Sequence, residues 1–90
     1  MTAAFSVLEA DDRRSAAALL GRFDRSNRWF LEKHLAELDG DVLLDCHSVE
    51  SFDEVAVAAL RRFRERAARQ RRRVTFRSLP SRYWAALRSR

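Results

Sequence analysis

The chain has 90 residues, of which 47% are hydrophobic and 34% charged, with two glycines and one proline. That length suits one domain burying on the order of 60% of the surface its unfolded chain exposes, and the composition argues against disorder and low complexity. The net charge is +5, and nearly all of the positively charged residues are arginines, in an alanine-rich chain. This pattern is typical of a GC-rich coding bias, so the charge alone is weak support for nucleic-acid binding.

The first part of the chain predicts two strands and a helix. Residues 4–10 predict a first strand, and the charged residues 11–14 predict a hairpin turn. Residues 15–23 predict a second strand, because the polar run that follows is a helix-start signal. A first helix then extends from an N-cap at Ser26 or Asn27 to a C-cap at Gly40. Its apolar side chains, expected to pack on a sheet, are Trp29, Phe30, Leu31, Leu35 and Leu38.

The middle of the chain predicts a strand, a polar loop and a second helix. The continuous apolar run at residues 42–44 predicts a strand over residues 41–46 that is buried on both faces, followed by a loop over residues 47–52. Asp53 is placed to cap the helix, and Glu54 falls in its first turn, where the helix dipole favours negative charge by ~0.3–1 kcal/mol. The apolar face of this helix consists of Ala56, Leu60, Phe63 and Ala67, with Val55 and Ala59 beside it.

The last part of the chain predicts one more strand and one more helix. Residues 74–79 form the strand, Pro80 ends it, and a short amphipathic helix follows. The element order is then β-β-α-β-α-β-α, which predicts an α/β fold with helices packed on a four-stranded mixed sheet. Strands connected through helices pair in parallel by right-handed crossovers, while the first hairpin adds an antiparallel edge.

Short motifs along the chain are in register with one known family. Leu43-Leu44-Asp45, Val49, Phe52-Asp53 and Ala58-Ala59-Leu60 match a family pattern in which "vvLDLsgv" leads through "tfiD" to "SSGlaaLl". Upstream, residues 20–24 (LGRFD) match "LsGelD" at the end of the second strand. On these motifs the chain resembles the STAS domain (sulphate transporter and anti-sigma factor antagonist), as a single domain over residues 1–90. The bacterial single-domain members of that family are anti-anti-sigma factors, so the resemblance implies a bacterial protein that takes part in transcription regulation.

The resemblance also identifies a departure at the family's phosphorylation site. In phosphorylatable members a serine or threonine follows the aspartate, but here Asp53 is followed by Glu54, Val55 and Ala56. Glu54 therefore makes this position non-phosphorylatable, with one permanent negative charge against ≈ −1.5 to −2 for phosphoserine. Glu54 could give a constitutive binder, could mimic the modified form, or could simply be a favourable first-turn residue. Modification of Ser48 or Ser51 is a further alternative.

The resemblance implies a partner-binding surface formed by the turn at residues 24–27, the loop at residues 47–52 and the start of the second helix. Asp24 and Asp53 carry the family's acidic positions, and Glu54 stands at the phosphoacceptor-equivalent position. The protein partner implied is a kinase-like anti-sigma factor. The expected partner-binding residues are Asp24, Arg25, Ser26, Asn27, Ser48, Glu50, Ser51, Asp53, Glu54, Val55 and Val57.

The sequence gives little support for catalysis. Glu50, Asp53 and Glu54 form an acidic cluster, but helix capping explains two of the three. Cys46 and His47 are adjacent, so on a strand their side chains point to opposite faces and cannot form a thiolate–imidazole pair. Glycine-rich phosphate loops, CxxC and HExxH spacings are absent from the sequence. We therefore expect a non-enzymatic protein with no catalytic residues, cofactor or metal.

The sequence is also compatible with other partners. STAS domains also serve as subunits that dock on a lipid transporter's ATPase, or as modules of sensory complexes. The arginine-rich segment at residues 61–73 could bind nucleic acid, but it lacks the interleaved aromatic side chains of a stacking platform, so a solvated face is favoured. The sequence has neither a signal peptide nor the ~20 apolar residues of a membrane span, so a cytoplasmic location is expected.

Overall fold

The structure is a computed structural model that describes residues 2–88, and these form four strands and three α-helices in the predicted order. A short 3-10 turn at Arg25–Asn27 precedes the first helix. The elements are β1 (Ala4–Ala10), β2 (Arg14–Phe23), α1 (Arg28–Ala36), β3 (Asp41–Phe52), α2 (Glu54–Arg69), β4 (Val74–Arg77) and α3 (Ser81–Arg88).

The four strands form one mixed sheet in the order β1-β2-β3-β4. The β1–β2 pair is antiparallel and connects through a turn in which the Asp11 carboxylate accepts from the backbone N–H groups of Arg13 and Arg14 at 2.8 and 2.9 Å. The β2–β3 and β3–β4 pairs are parallel, and each has a helix in its connection. The mixed sheet predicted from the element order is therefore confirmed.

All three helices pack on the same face of the sheet. Burial alternates along β2 and β3, so that Ala17 and Leu44 are fully buried while Leu43 and Asp45 on the opposite face are half-buried. The prediction that the central strand is buried on both faces is therefore wrong. The helical side of the core includes Leu31 and Leu35 from α1, Ala56, Leu60, Phe63 and Ala67 from α2, and Tyr83 and Leu87 from α3.

The strand β3 is longer than the sequence predicted. It continues through residues 47–52, which were expected to form a loop, because β2 also extends to Phe23 and the two strands stay paired until Phe23 aligns with Phe52. Two irregularities, between Asp45 and Ser48 and between Val49 and Ser51, give β3 two more residues than the opposing stretch of β2. Such bulges let a polar stretch remain in a strand while changing where its side chains point.

Two other predicted boundaries also change. The helix α1 ends at Ala36 with Glu37 as C-cap, so Gly40 is not the helix cap. Gly40 instead has φ +66 in the turn before β3, where an added Cβ would lie 2.1 Å from the Arg13 carbonyl carbon and oxygen. The strand β4 ends at Arg77 rather than at Leu79, although the Leu79 side chain still reaches the core.

Trp29 departs most clearly from its predicted place. Leu31 and Leu35 pack in the core as expected, whereas the Trp29 side chain is 72% exposed. At about 100° of rotation per residue, Trp29 lies roughly 200° around the helix from Leu31, which places it on the opposite side. The expectation that Trp29 packs on the sheet is therefore wrong.

Candidate docking site

Two turns meet at the carboxyl end of the β2–β3 pair. The strand β2 leads from Phe23 into the 3-10 turn, and β3 leads from Phe52 into α2. Because the strands are parallel and in register at these two residues, both turns emerge at the same edge of the sheet. The two phenyl rings lie 5.7 Å apart between centroids, and the Asp53 backbone N–H donates to the Phe23 carbonyl at 3.1 Å.

The carboxylate of Asp53 holds the two turns together. Its Oδ1 accepts a hydrogen bond from the backbone N–H of Ala56 at 2.8 Å and so caps α2, as predicted. Its Oδ2 accepts from the backbone N–H of Arg25 at 3.1 Å. One side chain therefore fixes the start of α2 relative to the 3-10 turn, which the sequence alone did not indicate.

The turn at residues 24–27 satisfies its own polar groups. Asp24 Oδ1 accepts from the Ser26 backbone N–H at 2.9 Å and from the Ser26 hydroxyl, while Asn27 Oδ1 accepts from the Asp24 N–H at 2.8 Å. This reciprocal pattern is a capping box. Hydrogen bonds from the Ser26 hydroxyl and then the Ser26 backbone N–H lower the pKa of the Asp24 carboxyl below its ordinary value of 3.8. Asn27 Nδ2 also donates to the Arg22 carbonyl at 2.8 Å.

An ion pair crosses the sheet edge beside this turn. Arg22 donates through both Nε and Nη2 to Glu50 Oε1, each at 3.1 Å, and Glu50 is the extra residue of the second β3 bulge. Exposed ion pairs of this kind contribute only about 0–1 kcal/mol to the free energy of unfolding. The main effect of this pair is to hold the Arg22 and Glu50 side chains beside the turn. Glu50 is among the expected partner-binding residues, whereas Arg22 is not, because nothing local in the sequence pairs it with a residue 28 positions away.

The remaining predicted residues divide by exposure. Glu54 is exposed in the first turn of α2, beside the capping Asp53, and Val55 is half-buried. Ser48 and Ser51 lie on β3, aligned with Leu20 and Arg22 of β2, rather than on a loop. Val57 is the exception among the expected contact residues, because its side chain is 5% exposed and belongs to the core.

Tyr83 of α3 is a buried side chain that contacts the end of β3 next to the site. Its hydroxyl accepts a hydrogen bond from the Phe52 backbone N–H at 3.1 Å, and its ring packs edge-on against the Phe52 ring at 5.3 Å. Arg82 Nη2 donates to the same hydroxyl at 3.0 Å. The helix α3 is thereby connected to the last residue of β3.

Cys46 and His47 are neighbours on β3. Cys46 is 2% exposed, and its burial, followed by the nearby Asp45 charge, raises the pKa of the thiol to about 12. The neighbouring His47 is exposed, so the two side chains occupy different environments, as predicted. Within residues 2–88, no group of three or more His, Cys, Asp or Glu side chains has the arrangement of a metal site.

Several arginines of the basic segment have structural partners. The Arg72 guanidinium donates to the backbone carbonyls of Leu38 and Gly40, each at 2.7 Å, and so fastens the α1–β3 connection. Arg61 donates to the Ala86 carbonyl at 3.3 Å, and Arg62 contacts Glu32 at 3.4 Å. These contacts account for part of the positive charge without invoking nucleic acid.

The four-stranded mixed sheet with three helices packed on it is the arrangement of a STAS domain. The family model described as "Mlab, STAS domain" matches residues 6–89, and the chain belongs to this family. STAS domains are generally protein-interaction modules, which the recognised motifs had implied. None of the helices in residues 2–88 has the length and apolar character needed to cross a bilayer.

A solved structure titled "Crystal Structure Analysis of Mglu" has the same fold. It superposes with a TM-score of 0.70 over 84% of this chain, at 22% sequence identity. The match covers only 19% of that protein, so the likeness concerns the fold and not the activity of the larger chain. No curated protein sequence matches the chain.

Proposed function

We propose that this protein is a non-enzymatic docking module that resembles an anti-anti-sigma factor. Its contact surface is the turn at residues 24–27, the end of β3 at residues 47–52 and the start of α2, and Glu54 lies at its centre. The partner is a protein of the kinase-like anti-sigma class, bound in a cytoplasmic setting. Family membership supports a protein partner in general, and the specific client is our proposal.

The observation that carries the proposal is the double role of the Asp53 carboxylate. Because its two oxygens bind the N–H groups of Ala56 and Arg25, the backbone on either side of the site is held in one arrangement. A surface ordered in advance loses less conformational freedom when a partner binds, which increases affinity. The exposed side chain of Glu54 is presented on this fixed backbone.

The charge of Glu54 determines how such a surface would work. A phosphoserine at a helix start carries about twice the charge of a glutamate and three acceptor oxygens, so Glu54 reproduces it only in part. We infer that Glu54 is a permanent feature of the contact and that binding does not depend on a kinase. An unmodified partner surface with a basic group opposite Glu54 is the expected complement.

The test is a pull-down from native cytoplasm with three baits at two salt concentrations. The baits are the wild type, Glu54→Lys and the matched control Glu65→Lys, which makes the same charge change at an exposed position farther along α2. A protein retained by the wild type and the Glu65 variant but lost by the Glu54 variant supports the proposal. Equal recovery of that protein with all three baits contradicts it.

Two other outcomes of the same pull-down identify the client. A lipid-transporter ATPase or a sensory-complex component lost with Glu54→Lys would keep the docking surface but assign it a different partner. Nucleic acid retained equally by the wild type and the Glu54 variant, and released by salt, would instead make the arginine-rich segment at residues 61–73 the functional surface.

A further inference from the structure

Trp29 is the most exposed large hydrophobic side chain within residues 2–88. It is 72% exposed on the solvent side of α1, opposite the buried Leu31 and Leu35. Its only aromatic-face contact in this part of the chain is with the Lys33 ammonium, whose nitrogen lies 5.2 Å from the ring centroid. The indole ring therefore lies outside the hydrophobic core of the described residues.

The surroundings of Trp29 carry positive charge. Arg25, Arg28 and Lys33 are exposed within one helical turn of it along the chain. The acidic residue on the adjacent side, Glu32, is already contacted by Arg28 at 3.6 Å and by Arg62 at 3.4 Å. The Lys33 ammonium thus lies against the Trp29 ring, and two guanidinium groups share the Glu32 carboxylate on the same helix, so the net positive charge of this group favours an acidic complement.

This surface is continuous with the proposed docking site. The backbone N–H of Arg25 is bonded to Asp53 Oδ2, and Trp29 follows Arg25 by four residues, through the 3-10 turn and into the first turn of α1. Trp29 therefore belongs to the element that directly follows the turn at residues 24–27. Tryptophan, tyrosine and arginine are the side chains enriched at the energetic centres of protein interfaces.

We propose that Trp29 is the aromatic anchor of this docking surface and that it inserts into an apolar pocket, rimmed by carboxylates, on the protein partner. The inference rests on the proposed function and adds the partner's chemistry to it. A membrane surface is a poorer occupant, because interfacial helices offer a continuous apolar face whereas the other large apolar residues of α1 are turned to the core. Single-stranded nucleic acid stacks on several successive aromatic rings, and here one is exposed on α1.

The first test compares Trp29→Ala with Leu8→Ala as a matched control, since Leu8 is 61% exposed on the β1 edge, away from this surface. Each variant is titrated against the purified protein that wild-type bait retains. We expect Trp29→Ala to weaken binding by at least about 30-fold, Trp29→Phe to recover part of that loss, and Leu8→Ala to bind as the wild type does. Thermal melting of each variant checks that the fold is kept.

A photoreactive benzoylphenylalanine in place of Trp29 identifies what the anchor touches. The expected cross-link is to an apolar residue of the partner with aspartate or glutamate close by in its sequence or structure. Cross-linking to lipid or nucleic acid, or binding of the wild type to phosphatidylglycerol vesicles that is lost in Trp29→Ala, overturns the proposal. In a Trp84→Phe background Trp29 is the remaining tryptophan, and its emission should shift to shorter wavelength on binding.

The two proposals fail in distinguishable ways. If Glu54→Lys abolishes binding while Trp29→Ala binds as the wild type does, the docking site stands and the anchor is wrong. If Trp29→Ala abolishes binding while Glu54→Lys does not, the anchor stands and the centre of the site lies on α1 rather than on α2. If wild-type bait retains no protein, both proposals are overturned.

Discussion

Replacing Asp53 tests whether one carboxylate holds both turns of the docking site. In Asp53→Ala, the N–H of Ala56 loses its helix cap, which costs about 1 kcal/mol, and the N–H of Arg25 loses a bond that contributes about 0.5–1.5 kcal/mol. The free energy of unfolding should therefore fall by about 2 kcal/mol. At 4–8 °C per kcal/mol for a domain of this size, the melting temperature should fall by roughly 8–16 °C.

Asp53→Asn separates the two contributions. Asparagine has one side-chain oxygen that can still cap α2, but its amide nitrogen cannot accept a hydrogen bond from the Arg25 N–H. We expect this variant to lose about 1 kcal/mol, half the loss of the alanine variant. Urea unfolding followed by circular dichroism gives the free energies, with Glu65→Ala on the same helix as a control expected within about 0.5 kcal/mol of the wild type.

Two results would refute this reasoning. If the asparagine and alanine variants of Asp53 lose the same stability, the bond to Arg25 contributes nothing and the two turns are not held together by this side chain. If neither variant differs from the wild type by more than about 0.5 kcal/mol, the start of α2 is fixed by packing and not by its cap.

Three further predictions concern groups around the site. Tyr83→Phe leaves the buried Phe52 N–H without its partner and should lower the free energy of unfolding by about 1–3 kcal/mol in urea titrations, a change that no loss of apolar packing would explain. The pKa of the Asp24 carboxyl is lower in the folded chain than its ordinary value of 3.8, so the ionised carboxylate stabilises the fold above that pH, and this stabilisation is lost as the pH falls through the pKa of the folded state. The melting temperature of the wild type should therefore fall below about pH 4, and it should fall less steeply in Asp24→Asn. Cys46, with a thiol pKa of about 12, should react with a thiol reagent at neutral pH only after denaturant is added, and fast reaction of the native protein would contradict its burial.

The regular parts of the fold were predictable because local signals and tertiary packing agree there. The bounds of β1 are those predicted, β2 differs by one residue, and α2 begins directly after the capping Asp53. The buried positions of α2 follow the 3.6-residue period from Ala56 to Ala67. Gly21 in the "LsGelD" match has φ +87 in β2, where an added Cβ would lie 2.7 Å from the Thr2 carbonyl oxygen. The backbone and the available space therefore both require glycine at this position of the motif.

The parts that were missed depend on contacts between distant segments. Residues 47–52 are polar enough for a loop, but pairing with β2 keeps them in the sheet as far as Phe52. The three successive apolar residues 29–31 cannot all face one way on a helix, and a projection of the helix could have placed Trp29 opposite Leu31. The bonds of Asp53 to Arg25 and of Tyr83 to Phe52 each span about thirty residues and leave no periodic signal.

Glutamate at position 54 can be favoured by stability alone. A functional test must therefore separate the contribution of Glu54 to stability from its contribution to partner binding. A carboxylate in the first turn of a helix gains about 0.3–1 kcal/mol from the helix dipole, whether or not a partner exists. Glu54→Gln keeps the shape and removes the charge, so its loss of stability measures the dipole contribution. A stability loss of that size leaves almost all of the protein folded, so it does not by itself weaken partner binding. If Glu54 contacts the partner, Glu54→Gln should also lower the affinity. Glu54 therefore has a functional role only if Glu54→Gln weakens binding while the domain remains folded.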